Sequence, residues 1–312
     1  MKLSVHIINR RSSKRDQWSR QPMNWHGFLP SASAGRGAVC IALSMTFFSA
    51  LDHVLRGINP PKTVVCKGSL AIWKWRNMMI SWLHAVLIGT WDLLCFYYYP
   101  ELMNDPVDHI VPFTYYLVAV STGYFLYDFW DMFTQRQLFK MWELTLHHIA
   151  VLSAFLYNVL SVRYIAYTVI ALLAEVNSIF LHTRKLMQMH KVPSVNMSYR
   201  FNAVLNLTTF AGCRGFALLR ISYGMYMNPE KMTPFYTVLL GTSMFIMNLL
   251  NPVLFYILLR NDFLLPPRDE DLYIKKGMKV NCPPLESKIS NGYSLSLEIN
   301  GFPCDGIHKR NL

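Results

Sequence analysis

The chain reads as an all-α, multi-pass transmembrane helical bundle, a six-helix core preceded by one further N-terminal helix. Two observations of composition and one of pattern predict this class. Hydrophobic residues make up 53% of the 312 positions and charged residues only 15%, with a mean hydropathy of +0.22, too apolar and too charge-poor for an ordinary soluble domain. Seven apolar runs recur along the chain, most of them near the roughly 20 residues a helix needs to cross a bilayer. Lysine and arginine are concentrated in every second connection between these runs. The formal charge of +12 is therefore a topology signal and not a nucleic-acid-binding stripe, so no nucleic-acid partner is expected.

Residues 1–37 carry seven Lys or Arg against one Asp, including Arg10-Arg11-Ser12-Ser13-Lys14-Arg15, and read as a basic, flexible N-terminal tail. The first apolar run, 38–55, is short for a span. It starts too far from Met1 for a signal peptide and ends in Asp52-His53 without a small-residue cleavage site, so it is expected to be a first transmembrane helix. A linker, Arg56–Arg76, contains Pro60-Pro61 and five cations. Six runs follow, at Asn77–Tyr98, Ile110–Phe133, Leu144–Leu160, Tyr164–Leu186, Asn202–Met225 and Phe235–Leu259. From 263 to 312, Pro266-Pro267, Pro283-Pro284 and mixed charge with no helical period predict a disordered cytoplasmic tail. There Asp269, Glu270 and Asp271 offset Lys275, Lys276 and Lys279.

Short loops rich in Lys and Arg stay on the cytoplasmic side. Connections 56–76, 134–143, 184–201 and 260–279 hold sixteen such residues, against two in 99–109, 161–163 and 226–234. The six-helix core therefore enters from and returns to the cytoplasm. A spanning first helix puts the basic N-terminus outside, against the same rule, so an interfacial first helix is the alternative. The sequon at Asn196 falls on the cytoplasmic side and that at Asn206 inside an apolar run, so neither is expected to carry a glycan. Six cysteines show no paired or metal-like spacing, and neither a disulfide framework nor a metal site is expected.

Ionisable side chains inside a bilayer are costly and mark functional candidates. The pair His147-His148 stands at the mouth of the fourth apolar run, just after Trp142-Glu143; it reads either as a functional pair or as residues at the headgroup level. Tyr124, Asp128 and Asp131 share one helical face at i, i+4 and i+7. Asp131 is expected to mark the cytoplasmic helix end near Arg136 and Lys140, and Asp128 stays open. Glu175 lies midway along its run with Ser178 and His182 on the same face. An unpaired carboxylate at that depth costs at least ~2.5 kcal/mol, so a partner is required, and His147 or His148 is expected, one or two turns away. His84 and Asp92 are two further inward-facing groups, read as interhelical hydrogen-bonders. Asn248 and Asn251, beside Pro252, read as a kink or helix contact.

Trp73-Lys74-Trp75-Arg76-Asn77, Ser81-Trp82-Leu83-His84, Ser121-Thr122-Gly123-Tyr124-Phe125, Asp128, Trp142-Glu143, His147-His148 and Glu175-Val176-Asn177-Ser178-Ile179-Phe180-Leu181 occur in this order. The set resembles the TLC-domain family over roughly 68–262, and within it the small TLC-domain-containing proteins that regulate membrane phospholipid composition and fluidity. The resemblance implies a six-helix TLC core, plasma-membrane residence (the endoplasmic reticulum being the alternative), and a role in limiting incorporation of polyunsaturated acyl chains into phospholipids. It implies membrane phospholipids or acyl chains as ligands, lipid-remodelling enzymes as partners, and no cofactor.

A non-enzymatic regulator is the reading preferred here; the alternative is an acyl-CoA-dependent acyltransferase. The related ceramide synthases combine a His-His pair with a later His-Asp-x-x-Asp motif. Here His147-His148 match the pair, but with Glu175 at the first Asp, Ala174 stands for the His and Ser178 for the second Asp, which argues against ceramide synthesis. In either enzyme reading His147, His148 and Glu175 are the catalytic candidates, with His84, Asp92, Tyr124, Asp128, Ser178 and His182 lining a polar lipid cavity. A seven-helix receptor is a remote third reading: Asn251-Pro252 is followed by Tyr256 one residue too late for the receptor Asn-Pro-x-x-Tyr motif.

Overall fold

In hydrocarbon no water is available to satisfy backbone amides and carbonyls, so an apolar run that crosses a bilayer has to satisfy them within itself. The computed structural model describes residues 29–104, 107 and 109–266, and every long apolar run in it is helical, with no strand among the described residues. The expectations for 1–28 and 267–312, including Cys282, Cys304 and the Lys275–Lys279 cluster, lie outside the described residues.

In chain order the helices are α1 (Ala34–Leu55), the short α2 (Lys62–Val65), α3 (Ser69–Tyr98), α4 (Pro112–Thr134), α5 (Trp142–Ser161), α6 (Ile165–Leu172), α7 (Ala174–Met189), α8 (Met197–Thr209), α9 (Phe216–Met227) and α10 (Pro234–Leu259). A π-turn, Phe210–Gly215, joins α8 to α9, and another, Arg260–Leu264, extends α10. Five segments are long and apolar enough to cross a membrane: α1, α3, α5, the α6–α7 rod Ile165–Met189, and Pro234–Leu264. The 23-residue α4 and the α8–α9 rod run beside them. The protein is an all-α multi-pass membrane bundle.

Several boundaries differ from the sequence expectation. Helix α1 begins at Ala34, inside the stretch read as tail, because Ser33 caps it by accepting from the Arg36 amide and because the Tyr115 hydroxyl anchors its start, 2.8 Å from the Ser33 carbonyl. Helix α3 starts at Ser69, eight residues before its apolar run, since Trp73 and Trp75 are buried and extend its packed face over what read as linker. The run 164–186 is broken at Leu173, where the amide of Leu173 bonds Ile170 and that of Val176 bonds Leu173 in i→i−3 fashion. The Asn202–Met225 run starts earlier, at Met197, where the Asn196 side chain accepts from the Ser198 amide, and it contains the π-turn. Asn206 is buried, as its sequon's position in an apolar run implied, and Cys40, Cys66, Cys95 and Cys213 are free thiols.

The two classes of connection gather at opposite ends. At one, the Thr63 hydroxyl donates to the Met189 carbonyl and Arg184 pairs with Asp262; at the other, Arg220 donates to the Met103 carbonyl and the Thr233 amide to the Tyr164 hydroxyl. The alternation of cation-rich and cation-poor loops thus corresponds to a bundle that reverses at each turn.

Two glycines set the interhelical distances that matter. Gly123 lets α4 lie directly on α1: a Cβ there would come 2.5 Å from the Ile41 carbonyl and 2.6 Å from the Ser44 Cβ, while the Ser44 hydroxyl donates across the contact to the Val120 carbonyl at 2.6 Å. Gly89 lets α3 cross the start of α7, where a Cβ would stand 3.1 Å from the Val176 amide nitrogen. Gly123→Val is expected to force α1 from α4 and to destabilise the detergent-solubilised protein by about 1–3 kcal/mol, as overpacking does. Gly35→Ala, whose new methyl group meets nothing within 4 Å, should leave the melting temperature unchanged or slightly raised. Thermal unfolding of the two variants side by side checks the contact.

Candidate functional site

The polar face predicted on α4 points into the bundle, toward α3 and α5. Asp128 is buried and its Oδ2 lies 2.7 Å from His148 Nε2, while Oδ1 accepts from the Asn77 amide at 2.5 Å. The other ring nitrogen of His148, Nδ1, lies 2.8 Å from the Leu144 carbonyl. A carbonyl can only accept, so Nδ1 carries a proton, and the Nε2–Oδ2 contact holds a second one between ring and carboxyl. Whichever atom carries it, both ring nitrogens and both carboxyl oxygens are engaged, and the pair is closed. Asp131 does not mark a solvated helix end near Arg136 and Lys140, as its position suggested. It is buried, and Oδ2 accepts from Trp73 Nε1 at 2.7 Å and from Asn77 Nδ2 at 3.3 Å, because the early start of α3 places an indole and an amide opposite it.

His147 is different. One residue on along a helix turns the side chain by about 100°, so His147 leaves the α4 contact that holds His148. It is half-buried, its ring centroid is 5.6 Å from that of His148, and it has no hydrogen-bond partner among the described residues. The face of α5 that continues from it, Ala150, Val151, Ala154 and Asn158, lines a cavity of about 60 Å³ whose other walls include Tyr167, Tyr236, Leu240 and Met244.

Glu175 was expected to pair with His147 or His148. The histidine within ion-pair distance is instead His84 of α3, whose Nδ1 is 3.8 Å from Glu175 Oε2, because Gly89 brings α3 onto the start of α7. His84 is fixed on its other sides by Ser121, whose Oγ is 3.2 Å from Nε2, and by Tyr124, whose ring stacks on it at 3.6 Å. The reading of His84 as an interhelical hydrogen-bonder fits this geometry. Asp92 does not fit it: it is fully buried on the same helix, yet neither carboxyl oxygen has a hydrogen-bond partner among the described residues. His182 meets α3 through Met78, with Nδ1 3.1 Å from the sulfur. Ser178 turns instead toward an arginine.

That arginine, Arg214, is the residue that sequence reasoning passed over. It sits in the π-turn midway along the α8–α9 rod, and its guanidinium reaches Asn177 Oδ1 (Nε, 3.2 Å), Ser178 Oγ (Nη2, 3.1 Å), the Ala174 carbonyl (Nη2, 3.5 Å) and Asn251 Oδ1 (Nη1, 3.1 Å). Asn251 is thus an arginine acceptor and more than a kink marker. Asn177, in turn, donates to the Asn206 carbonyl and side chain at 2.8 and 3.0 Å. The signal was available as a cation halfway along an apolar run, with Arg220 nearer the run's end, and a cation at that depth is rare for the same energetic reason as a carboxylate. The π-turn itself has no comparable sequence mark, although such turns often occur at functional sites.

Two histidine–carboxylate contacts, an open histidine and an arginine therefore converge inside an apolar bundle. This defines the class: a multi-pass membrane protein with an enclosed polar site between its helices. The chain belongs to the TLC-domain family, whose model matches residues 74–260. It is 34% identical over 233 residues to TLC domain-containing protein 2 of Danio rerio, covering 75% of this chain and 93% of that one. It is 36% identical over 177 residues to TLC domain-containing protein 2 of Mus musculus, covering 56% and 55% of the two chains. To TLC domain-containing protein 1 of Gallus gallus it is 33% identical over 177 residues, covering 57% and 69%. Membership of this family supports a role connected with membrane lipids.

The two adjacent histidines should separate in stability measurements. Asp128→Ala leaves the buried His148 ring without its carboxyl and is expected to destabilise the protein by about 3–5 kcal/mol, the usual cost of breaking a buried pair. His147→Ala, which breaks no hydrogen bond, should cost less than about 1 kcal/mol. Equal losses in denaturant titrations of the two variants in detergent would contradict the division of roles.

Proposed function

We propose that this protein regulates the phospholipid composition and fluidity of the membrane it spans, limiting the incorporation of polyunsaturated acyl chains, by holding a phospholipid or acyl chain at the polar site between α3, α4, α5 and α7. The observation that carries the reading is the contrast at His147-His148. His148 is locked to Asp128, and that fixes the neighbouring His147, its ring nitrogens unengaged, one helical turn before Ala150 and Val151, which line an apolar cavity. A polar group held rigidly next to apolar space suits an amphiphile, whose head and tail need both. Family membership supports the lipid connection, and the resemblance to the small TLC-domain-containing proteins supports the choice of phospholipid composition and of the plasma membrane. Lipid-remodelling enzymes are the partners this role calls for.

A second reading rests on the same histidine. An imidazole with a free nitrogen is a competent base or nucleophile for acyl transfer, and His148–Asp128 would then orient the pair. Glu175 has its ion-pair-distance contact with His84, and among the described residues no hydrogen bond joins it to His147 or His148.

Deletion of the gene is expected to raise the polyunsaturated fraction of membrane phospholipids, and re-expression of the His147→Ala, His148→Ala double variant should fail to restore it. Quantitative lipidomics of the three lines tests this; an unchanged lipid profile on deletion sinks the proposal. Incubation of the purified protein with acyl-CoA and lysolipid or amine acceptors separates the regulator from the transferase, which alone should form an acylated product.

A further inference from the structure

At the cation-rich end of the bundle, α2 and the start of α3 are fastened to the end of α7. The Thr63 hydroxyl donates to the Met189 carbonyl at 2.9 Å, and Trp75 Nε1 donates to His190 Nε2 at 3.4 Å. Lys74 stands beside the second tie, in the second turn of α3 and three residues outside the apolar run that begins at Asn77, at the depth of lipid headgroups. Its neighbour Arg76 takes Asp52, whereas Lys74 forms no hydrogen bond or ion pair among the described residues.

Helical spacing puts this lysine on the face that leads inward. Residues at i+3 and i+4 share its face. Of these, Asn77 donates to Asp128 of α4, and Met78 meets His182 of α7, its sulfur 3.1 Å from Nδ1. Lys74 is therefore the outermost member of a face whose next turn reaches the polar site itself. Lys74, Asn77, Met78 and His182 are all half-buried, so this face keeps accessible surface from the end of the bundle inward. The carboxyl groups on that side are already engaged, Asp131 by Trp73 and Asn77 and Asp128 by His148 and Asn77. An ammonium group is thus left at the mouth of a polar site with no carboxylate paired to it.

We propose that Lys74 binds the phosphate of a phospholipid taken from the cytoplasmic leaflet, holding the headgroup at the mouth while an acyl chain reaches the polar site between α3, α4, α5 and α7. The excess of Lys and Arg assigns this end of the bundle to the cytoplasm. Depth selects a headgroup, because Lys74 lies outside the apolar run, where its ammonium keeps contact with water and with lipid phosphates. The side chain selects phosphate: an ammonium is a point charge that any oxygen of a tetrahedral phosphate can meet, whereas a planar carboxylate is better matched by an arginine fork. The inference rests on the reading of the bundle as a phospholipid-binding site and adds the recognition of the headgroup to it.

The full chain in dodecyl maltoside, a detergent without phosphate, is titrated with a lysophosphatidylcholine that carries a fluorescent NBD group at the end of its acyl chain. Unlabelled oleoyl lysophosphatidylcholine should displace the probe; monoolein, which keeps the glycerol and the acyl chain but lacks the phosphate, should not. Lys74→Gln should weaken binding about tenfold, the scale of a lost charge-assisted hydrogen bond, and Lys74→Arg, which keeps the charge, should stay within about threefold of the parent. Lys140→Gln removes an exposed cation from the connection between α4 and α5 and should leave the affinity unchanged. Thermal melting of each variant checks that it is folded. Equal displacement by monoolein overturns the proposal, as does unchanged affinity in a folded Lys74→Gln protein or an equal loss in Lys140→Gln. Stronger displacement by oleate overturns the phosphate assignment in favour of a carboxylate, and stronger displacement by oleoyl-CoA overturns the phospholipid in favour of an acyl-CoA. An unchanged lipid profile on gene deletion, with Lys74-dependent binding intact, sinks the functional reading alone; a changed profile with binding independent of Lys74 sinks this inference alone.

Discussion

Three helices of the bundle are tied together at one carboxyl group. Asp128 of α4 takes a hydrogen bond from Asn77 of α3 on one oxygen and engages His148 of α5 on the other, with Asp131 one turn on receiving Trp73 and Asn77. In a lipid environment helix association has no hydrophobic driving force of its own, so close packing and interhelical polar contacts have to fix the arrangement. The α4 face does both. Its Gly123 accepts α1 at backbone distance, and its acids hold α3 and α5 on the other sides. Misplacing Asp128 would leave a carboxyl and an imidazole unsatisfied in a medium where each is costly. The register of α3, α4 and α5 follows from that penalty.

The same penalty explains how neighbouring residues come to differ. His148 is spent on structure, and its neutral or paired state is set by Asp128 and the Leu144 carbonyl. His147 gains a fixed position from it without sharing its bonds. Glu175 is served by His84, itself clamped between Ser121 and Tyr124. Irregular backbone is confined to the middle of two rods, at Leu173 and at Phe210–Gly215, and both irregularities face Arg214 and its acceptors. Non-helical geometry at membrane depth is tolerated where protein or a cavity covers it, and there it places backbone carbonyls and side chains that a continuous helix would keep to itself.

Much of the fold was legible in the residues alone. Apolar runs of near-spanning length, separated by alternating cation-rich and cation-poor loops, were enough for the helical bundle and its reversals, because insertion energetics act on composition over some 20 residues at a time. The inward direction of Tyr124, Asp128, His84 and Asp92 was legible from helical spacing, because no such group can face lipid. Helix ends were less so. Ser69–Arg76 carries Lys74 and Arg76, read with the cationic linker, and is helical with Trp73 and Trp75 finding partners in α4 and beyond α7.

Pairing was decided by tertiary structure. The sequence placed Glu175 and the two histidines in consecutive runs, and proximity along the chain suggested that they meet. Glycine at 89 and 123 settled otherwise, since the helix that can approach most closely takes the contact, and that helix is α3 for Glu175. Likewise nothing in the order of residues told Asn251 from Asn248, or marked 210–215 as a π-turn; both follow from where one guanidinium had to find acceptors. The sequence by itself determined that charged groups lie inside this membrane bundle, because their positions along apolar runs allow nothing else. Only the packed structure determined which of them satisfy one another and which, His147 and Asp92, make no side-chain hydrogen bond among the described residues, because partnership depends on interhelical distances of a few ångströms that no spacing along a single helix encodes.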